Sequence, residues 1–226
     1  MDKSTLDSAS SPAATAGNDD LTLEDKRVRF NEYFAVKSQL NVNVIPLPKA
    51  FILPNEAQIV DHMPYAFQLA SDISDIETKA LRPLRNLSDH AATLAEYLNH
   101  QARKIDLMMS YILRQEDDAT YQYRAISFGG SGLTLVSAEP MAVGVTYELK
   151  IFLESEASAV FCYGEVIQCE RIEEGSANNQ DKTCNTDSEQ YNVNLIFSRI
   201  REQDQELLVR ASLHIQAQQL RKTRQK

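Results

Sequence analysis

The longest regular pattern of apolar positions runs from Leu84 to Ile112. With Leu84 at position a of a heptad, the core positions are Leu84, Leu87, Ala91, Leu94, Leu98, Gln101, Ile105, Met108 and Ile112. The spacing alternates three and four without a slip, the rhythm of a helix whose apolar seam stays turned toward another helix. Ala95, Ala102 and Met109 widen the seam, which suits a bundle of three or more helices better than a two-stranded zipper. As one helix the segment would be a rod of roughly 43 Å, too long for one small barrel to cover. The expectation is a device that joins several copies of the chain. The same rhythm also allows the segment to pack back within one chain, on its own barrel or on Ile59–Ile76. Gln101 is the polar exception, either a tolerated wet amide or a selector of register and oligomer state.

The flanking patterns place the other elements. Residues 1–20 are Ser-, Ala- and Asp-rich with few large apolar side chains, and disorder is expected there. Leu21–Phe34 mixes acidic and basic residues and can form a short helix or an extended lead-in. Leu40–Ile45 then alternates like a strand until Pro46 and Pro48. Past Pro54 the period becomes helical, with Asn55 as N-cap and Ile59, Met63, Phe67, Ala70, Ile73 and Ile76 on one face. Pro64 and Pro83 predict a division into helices near 55–63, 65–81 and 83–115, with Pro83 in the first turn of the last.

After Glu116, Asp117 and Asp118 the period falls to two. Tyr121–Ile126, Gly132–Val136, Val145–Leu153, Val160–Ile172 and Tyr191–Phe197 read as strands. With Leu40–Ile45 they suffice to close a small antiparallel barrel. The polar stretch Glu173–Gln190 reads as a disordered loop. Arg201–Lys222 reads as a helix with Leu207, Leu208, Ala211, Ile215 and Leu220 on one side. Its basic end (Arg221, Lys222, Arg224, Lys226) suits the negative pole of a helix C-terminus. The predicted class is α+β, organised as a tail (1–20), a lead-in and first strand (21–50), a helical oligomerisation segment (54–116), a β-barrel (119–200) and a C-terminal helix (201–222).

Composition narrows the function classes. The 226 residues are 43% hydrophobic and 24% charged, a globular balance. A formal charge of −9 argues against nucleic acid or an anionic membrane surface as partner. No apolar run reaches membrane-spanning length and the first 20 residues lack a signal-peptide core, so a cytoplasmic protein is expected. Cys162, Cys169 and Cys184 follow no metal or redox spacing, and neither do His62, His90, His100 and His214. Ser127 and Ser131 lie near glycines, but Gly129–Gly132 matches neither a nucleophile elbow nor a phosphate-binding loop. Catalysis is not expected, and no cofactor or metal is.

One turn carries more information. Ala125-Ile-Ser-Phe-Gly-Gly-Ser-Gly-Leu133 places three glycines among four residues, a tight turn whose backbone is open to close approach. The order of a strand, this turn, a strand, a polar turn, two longer strands, a strand ending in Phe197 and a helix resembles the PilZ family. Ser127 and Gly130 match the family's Asp/Asn-x-Ser-x-x-Gly motif, with Ala125 in place of the acid or amide. Ala159–Gln168 resembles the strand carrying a Gly-x-Val element. The resemblance covers Tyr121 to about Ile200, and loosely Leu40–Ile45. Pro54–Glu116 resembles the helical insertion of an atypical, oligomer-forming subset.

That resemblance implies binding of cyclic di-GMP through two arginines four residues apart, just before the first strand. Guanidinium groups fork onto phosphate or the guanine edge and stack on the base. Here Arg27 is followed four residues later by Asn31, and Arg29 by Tyr33. Losing one arginine and the acid should weaken binding by roughly two to four orders of magnitude if the losses add. The expectation is therefore a self-assembling adaptor, a tetramer above all, that works through signalling or motility proteins without tight nucleotide binding. The alternative is a genuine receptor using Lys26, Arg27 and Arg29 from the lead-in with Ser127 and Gly130 from the turn.

Overall fold

The computed structural model describes residues 21–32, 34–84, 92–172 and 189–224. The 1–20 segment and most of the 173–190 loop lie outside them. The period-two segments become strands β1 (Ala35–Pro46), β2 (Gln122–Gly129), β3 (Gly132–Ser137), β4 (Thr146–Leu153), β5 (Ser158–Arg171) and β6 (Tyr191–Arg199). All neighbours are antiparallel, and the order β1-β2-β3-β6-β5-β4 closes as β4 pairs with β1. This is the α+β barrel expected from the pattern. β1 is longer than Leu40–Ile45 because Ala35–Lys37 pair with Ser127–Gly129 beyond a register shift. Inward-pointing Val42, Leu135, Ile151, Val160, Cys162 and Leu195 fill the barrel. Burial in this apolar interior raises the Cys162 thiol well above its usual pKa.

Helix α5 (Glu202–Arg224) packs against the barrel core through Leu207, Leu208 and Ala211. An internal clasp holds its first turn. Arg201 donates through Nε and a terminal nitrogen to both oxygens of buried Asp204, at 2.7 and 2.9 Å. Leu220 is exposed, away from the face that Leu207 and Leu208 bury. At 100° per residue it lies opposite them, whereas the sequence reading put all three on one side.

A second core forms outside the barrel. Ala159, Phe161 and Tyr163 of β5 and Phe152 of β4 pack under Ile59, Met63, Phe67, Ala70, Met109 and Leu113. Met63 apart, which follows α2, these come from α2 (Ile59–His62), α3 (Tyr65–Leu84) and α4 (Ala92–Gln115). Asn55 caps as expected, since its Oδ1 accepts from Gln58 N at 3.0 Å and its own N–H donates to Gln58 Oε1 at 3.2 Å. Met63 is extended before Pro64 (ψ 134°) and ends α2. Gln68 Nε2 stitches the break, donating to the Val60 and Met63 carbonyls at 3.0 and 2.9 Å.

The expected helix over 83–115 is divided instead. Pro83 stands in the last turn of α3, which ends one residue later, and α4 begins at Ala92. A proline disrupts the turn before it, so it can close one helix as well as open the next. The start of α3 and the end of α4 share one core on the barrel, so the two helices leave it and return as an antiparallel hairpin. The end of the heptad segment thus packs back on its own chain through Met109 and half-buried Ile105, while the heptad positions Met108 and Ile112 stay exposed. Fully buried Asn43 locks the return. Its Nδ2 donates to Asp117 Oδ1 and the Asp118 carbonyl, and its Oδ1 accepts from Asp118 N, at 2.8, 3.1 and 2.9 Å.

Tyr163 lies between barrel and helices with no exposed surface, and its hydroxyl has no hydrogen-bond partner. Burial, reinforced by Glu148 and Cys162, pushes its pKa up to about 12. An unmatched buried hydroxyl costs about 1–3 kcal/mol, so Tyr163→Phe is expected to raise stability by about 1 kcal/mol in urea unfolding at pH 7. The raised phenol pKa contributes stability below pH 10 that is lost as pH climbs through 12. The variant should lack that component of alkaline unfolding.

Candidate functional site

The expected ligand residues come from helix α1 (Leu23–Glu32) and the β2–β3 turn. The α1 sequence, LEDKRVRFNE, is too polar to be held by apolar burial, so polar contacts anchor it. Thr22 opens it, accepting from Asp25 N at 3.3 Å through Oγ1 and donating to Asp25 Oδ2 at 2.6 Å. Lys26 is buried on β5 and donates to both carboxylate oxygens of Glu165, at 2.9 and 2.7 Å. Both side chains are largely buried, at 10% and 15% exposure, where an unpaired charge would be costly. Arg27 Nε donates to the Ile167 carbonyl at 3.2 Å. Arg29 is half-buried on the same helix.

The glycine turn is occupied by the chain itself. Residues Phe128–Leu133 are all buried. A Cβ at Gly132 would lie 2.7 and 2.9 Å from the Phe30 ring and against the Leu195 carbonyl, and one at Gly129 would strike the Phe34 carbonyl. Neither glycine has a positive φ, so both serve close approach. Ser131 Oγ donates to the Phe30 carbonyl at 3.3 Å, Ser131 O accepts from Phe197 N at 2.8 Å, and Gly130 O accepts from Gln205 Nε2 of α5 at 2.9 Å. The open backbone expected from the sequence is filled by α1 on one side and α5 on the other.

The five candidate ligand residues are not assembled around one cavity by these contacts. Lys26 and Arg27 are committed to β5, Gly130 to α5, and Ser127 lies in the ladder opposite Lys37 and Thr134. Ala125, in place of the motif acid, is fully buried between Leu40 and Leu135, where a carboxylate would be costly. Sequence reasoning missed Phe30, Glu165 and Gln205. Glu165 did leave a signal, since an acid inside the run Ala159–Ile167 demands a cation. Among the described residues, no group of three or more His, Cys, Asp or Glu could hold a metal.

The heptad positions divide between two surroundings. Leu84 ends α3, Leu87 and Ala91 lie outside the described residues, and the rest are on α4. Leu98, Gln101 and Ile105 are half-buried. Leu94, Met108 and Ile112 are exposed, with Tyr97, Leu107 and Tyr111 beside them and Ile76 exposed on α3. Buried Met109 and Leu113 lie on the other side of the seam. At 100° per residue, Leu107 to Leu113 covers about 240° of the helix, far wider than one neighbour can bury.

The Lys26–Glu165 pair makes the anchoring of α1 testable. Lys26→Ala strands a buried carboxylate and is expected to cost about 3 kcal/mol in urea unfolding, while Lys26→Met with Glu165→Leu should cost far less.

No family model matches this chain, and no curated protein does. No described helix is long and apolar enough to cross a membrane. Among solved structures, the chain is similar to a pathogenic protein from Xanthomonas campestris, described as a tetrameric PilZ domain self-assembled via an unusual helical bundle. The TM-score is 0.49 at 14% identity, covering 86% of this chain and 96% of that one.

Proposed function

We propose that this chain is a non-catalytic, PilZ-type adaptor that assembles as a homotetramer through the α3–α4 hairpin. It passes cyclic di-GMP-related signals to protein partners in motility, adhesion or biofilm control and does not itself hold the nucleotide tightly. The pathway comes from the sequence resemblance of Tyr121–Ile200 and its glycine turn. The observation that carries the reading is that this turn is already filled by Phe30 and Gln205, while Lys26 is spent on Glu165. A nucleotide at the turn would have to displace α1. Stranding either member of a buried ion pair costs about 3–5 kcal/mol, a penalty of two to three orders of magnitude or more in affinity.

Assembly through the hairpin is supported by the exposed side of the heptad seam. The stretch Leu107–Leu113, apolar around about two-thirds of the helix circumference, needs neighbours besides α3 and the barrel. The heptad residues Leu94, Met108 and Ile112 are exposed on α4 together with Tyr97, Leu107 and Tyr111. Half-buried Gln101 sits at the boundary, in position to set register between copies.

Two measurements test the reading. Calorimetric titration with cyclic di-GMP is expected to give no binding at micromolar ligand, and a submicromolar Kd would overturn it. Sedimentation should give a tetramer. Leu94→Lys with Met108→Lys, both exposed in the single chain, should leave the fold intact by circular dichroism and reduce the mass well below a tetramer. An unchanged mass would remove the hairpin as the assembly face.

A further inference from the structure

The C-terminal helix has two apolar faces. Leu207, Leu208 and Ala211 are buried on the barrel. Val209, Leu213 and Leu220 are exposed on the opposite side, aligned with exposed Ala217. A helix lying on a barrel ordinarily turns polar residues outward. This one is firmly seated, since Gln205 donates to the Gly130 carbonyl at 2.9 Å and Gln219 to the Lys37 carbonyl at 2.8 Å. The outer stripe is therefore a fixed surface, whose residues are not on loan from the core.

Charge decides what fits it. Exposed Glu202 and Glu206 precede the stripe, and exposed Arg221 follows it. The helix dipole accounts for acids at the start and bases at the end, but it gives no reason for the row from Val209 to Leu220. We infer that the outer face of α5 is a self-recognition surface that takes the α5 of a second copy in antiparallel orientation. Setting Glu206 of one copy beside Arg221 of the other centres the crossing between Leu213 and His214. The same ion pair then forms at both ends, over a length of about 22 Å, and the two apolar rows interleave. In parallel orientation Glu206 would meet Glu206 and Arg221 would meet Arg221, which is repulsive.

This contact is isologous, with one patch facing itself across a two-fold axis. A tetramer of dihedral symmetry uses more than one kind of two-fold contact. If the hairpin supplies one, α5 supplies another. The inference stands on a different helix from the tetramer reading, so the two can fail separately.

Sedimentation of the full chain tests it. In the Leu94→Lys, Met108→Lys background the protein is expected to run as a dimer, and adding Leu213→Lys should make it a monomer. Glu206→Arg or Arg221→Glu alone should weaken that dimer about tenfold, because attraction becomes repulsion at both ends. Combining the two exchanges should restore the parental affinity. All three positions are exposed, and circular dichroism checks that the fold is retained. A monomer in the hairpin-disrupted background, or no recovery on combining the exchanges, overturns the α5 pairing and leaves the hairpin reading intact. An assembly indifferent to the hairpin substitutions but dissociated by Leu213→Lys supports the α5 pairing and overturns the hairpin.

Discussion

Strand β5 is buried on both faces, and the molecule is arranged around that fact. Val160 and Cys162 face the barrel interior, while Ala159, Phe161 and Tyr163 face the helices. An antiparallel barrel of this size can usually leave its outer face to water. This one cannot, because Phe161 and Tyr163 would be stranded there. The rings of Phe67, Phe152, Phe161 and Tyr163 meet edge to face at centroid distances of 5.6 to 6.5 Å. This aromatic seam makes the helical segment part of the domain.

The same strand organises the candidate site. Past Tyr163 it carries Glu165, whose carboxylate holds Lys26 and with it an otherwise polar helix. Once α1 is seated, Phe30 covers Gly132 and the glycine turn loses its open backbone. Three features that look independent along the chain are therefore one packing event: the acid in an apolar strand, the polar lead-in helix and the glycine-rich turn. The space left by the missing side chains of the turn serves the fold.

The heptad segment divides between a packed side and an exposed one. Met109 and Leu113 bind it to its own barrel, and Ile105 lies at the edge of that core. Leu94, Met108 and Ile112 look outward. A seam centred between two surroundings explains why the pattern is so wide.

Alternation of apolar and polar residues determined most of the strands, the α+β class and the barrel, because a strand with one wet face records its burial in every second side chain. Doubly buried β5 was legible instead as an apolar run between turns. Asn55 and Pro64 were legible for the same local reason, since caps and prolines act within a turn of themselves. What the chain could not reveal was which surface each apolar residue meets. Lys26 spends its charge on Glu165, 139 positions away, and Phe30 covers Gly132. Those outcomes depend on residues brought together only by closure of the barrel. A periodic pattern reports that a face is buried, and only the packed structure decides against what.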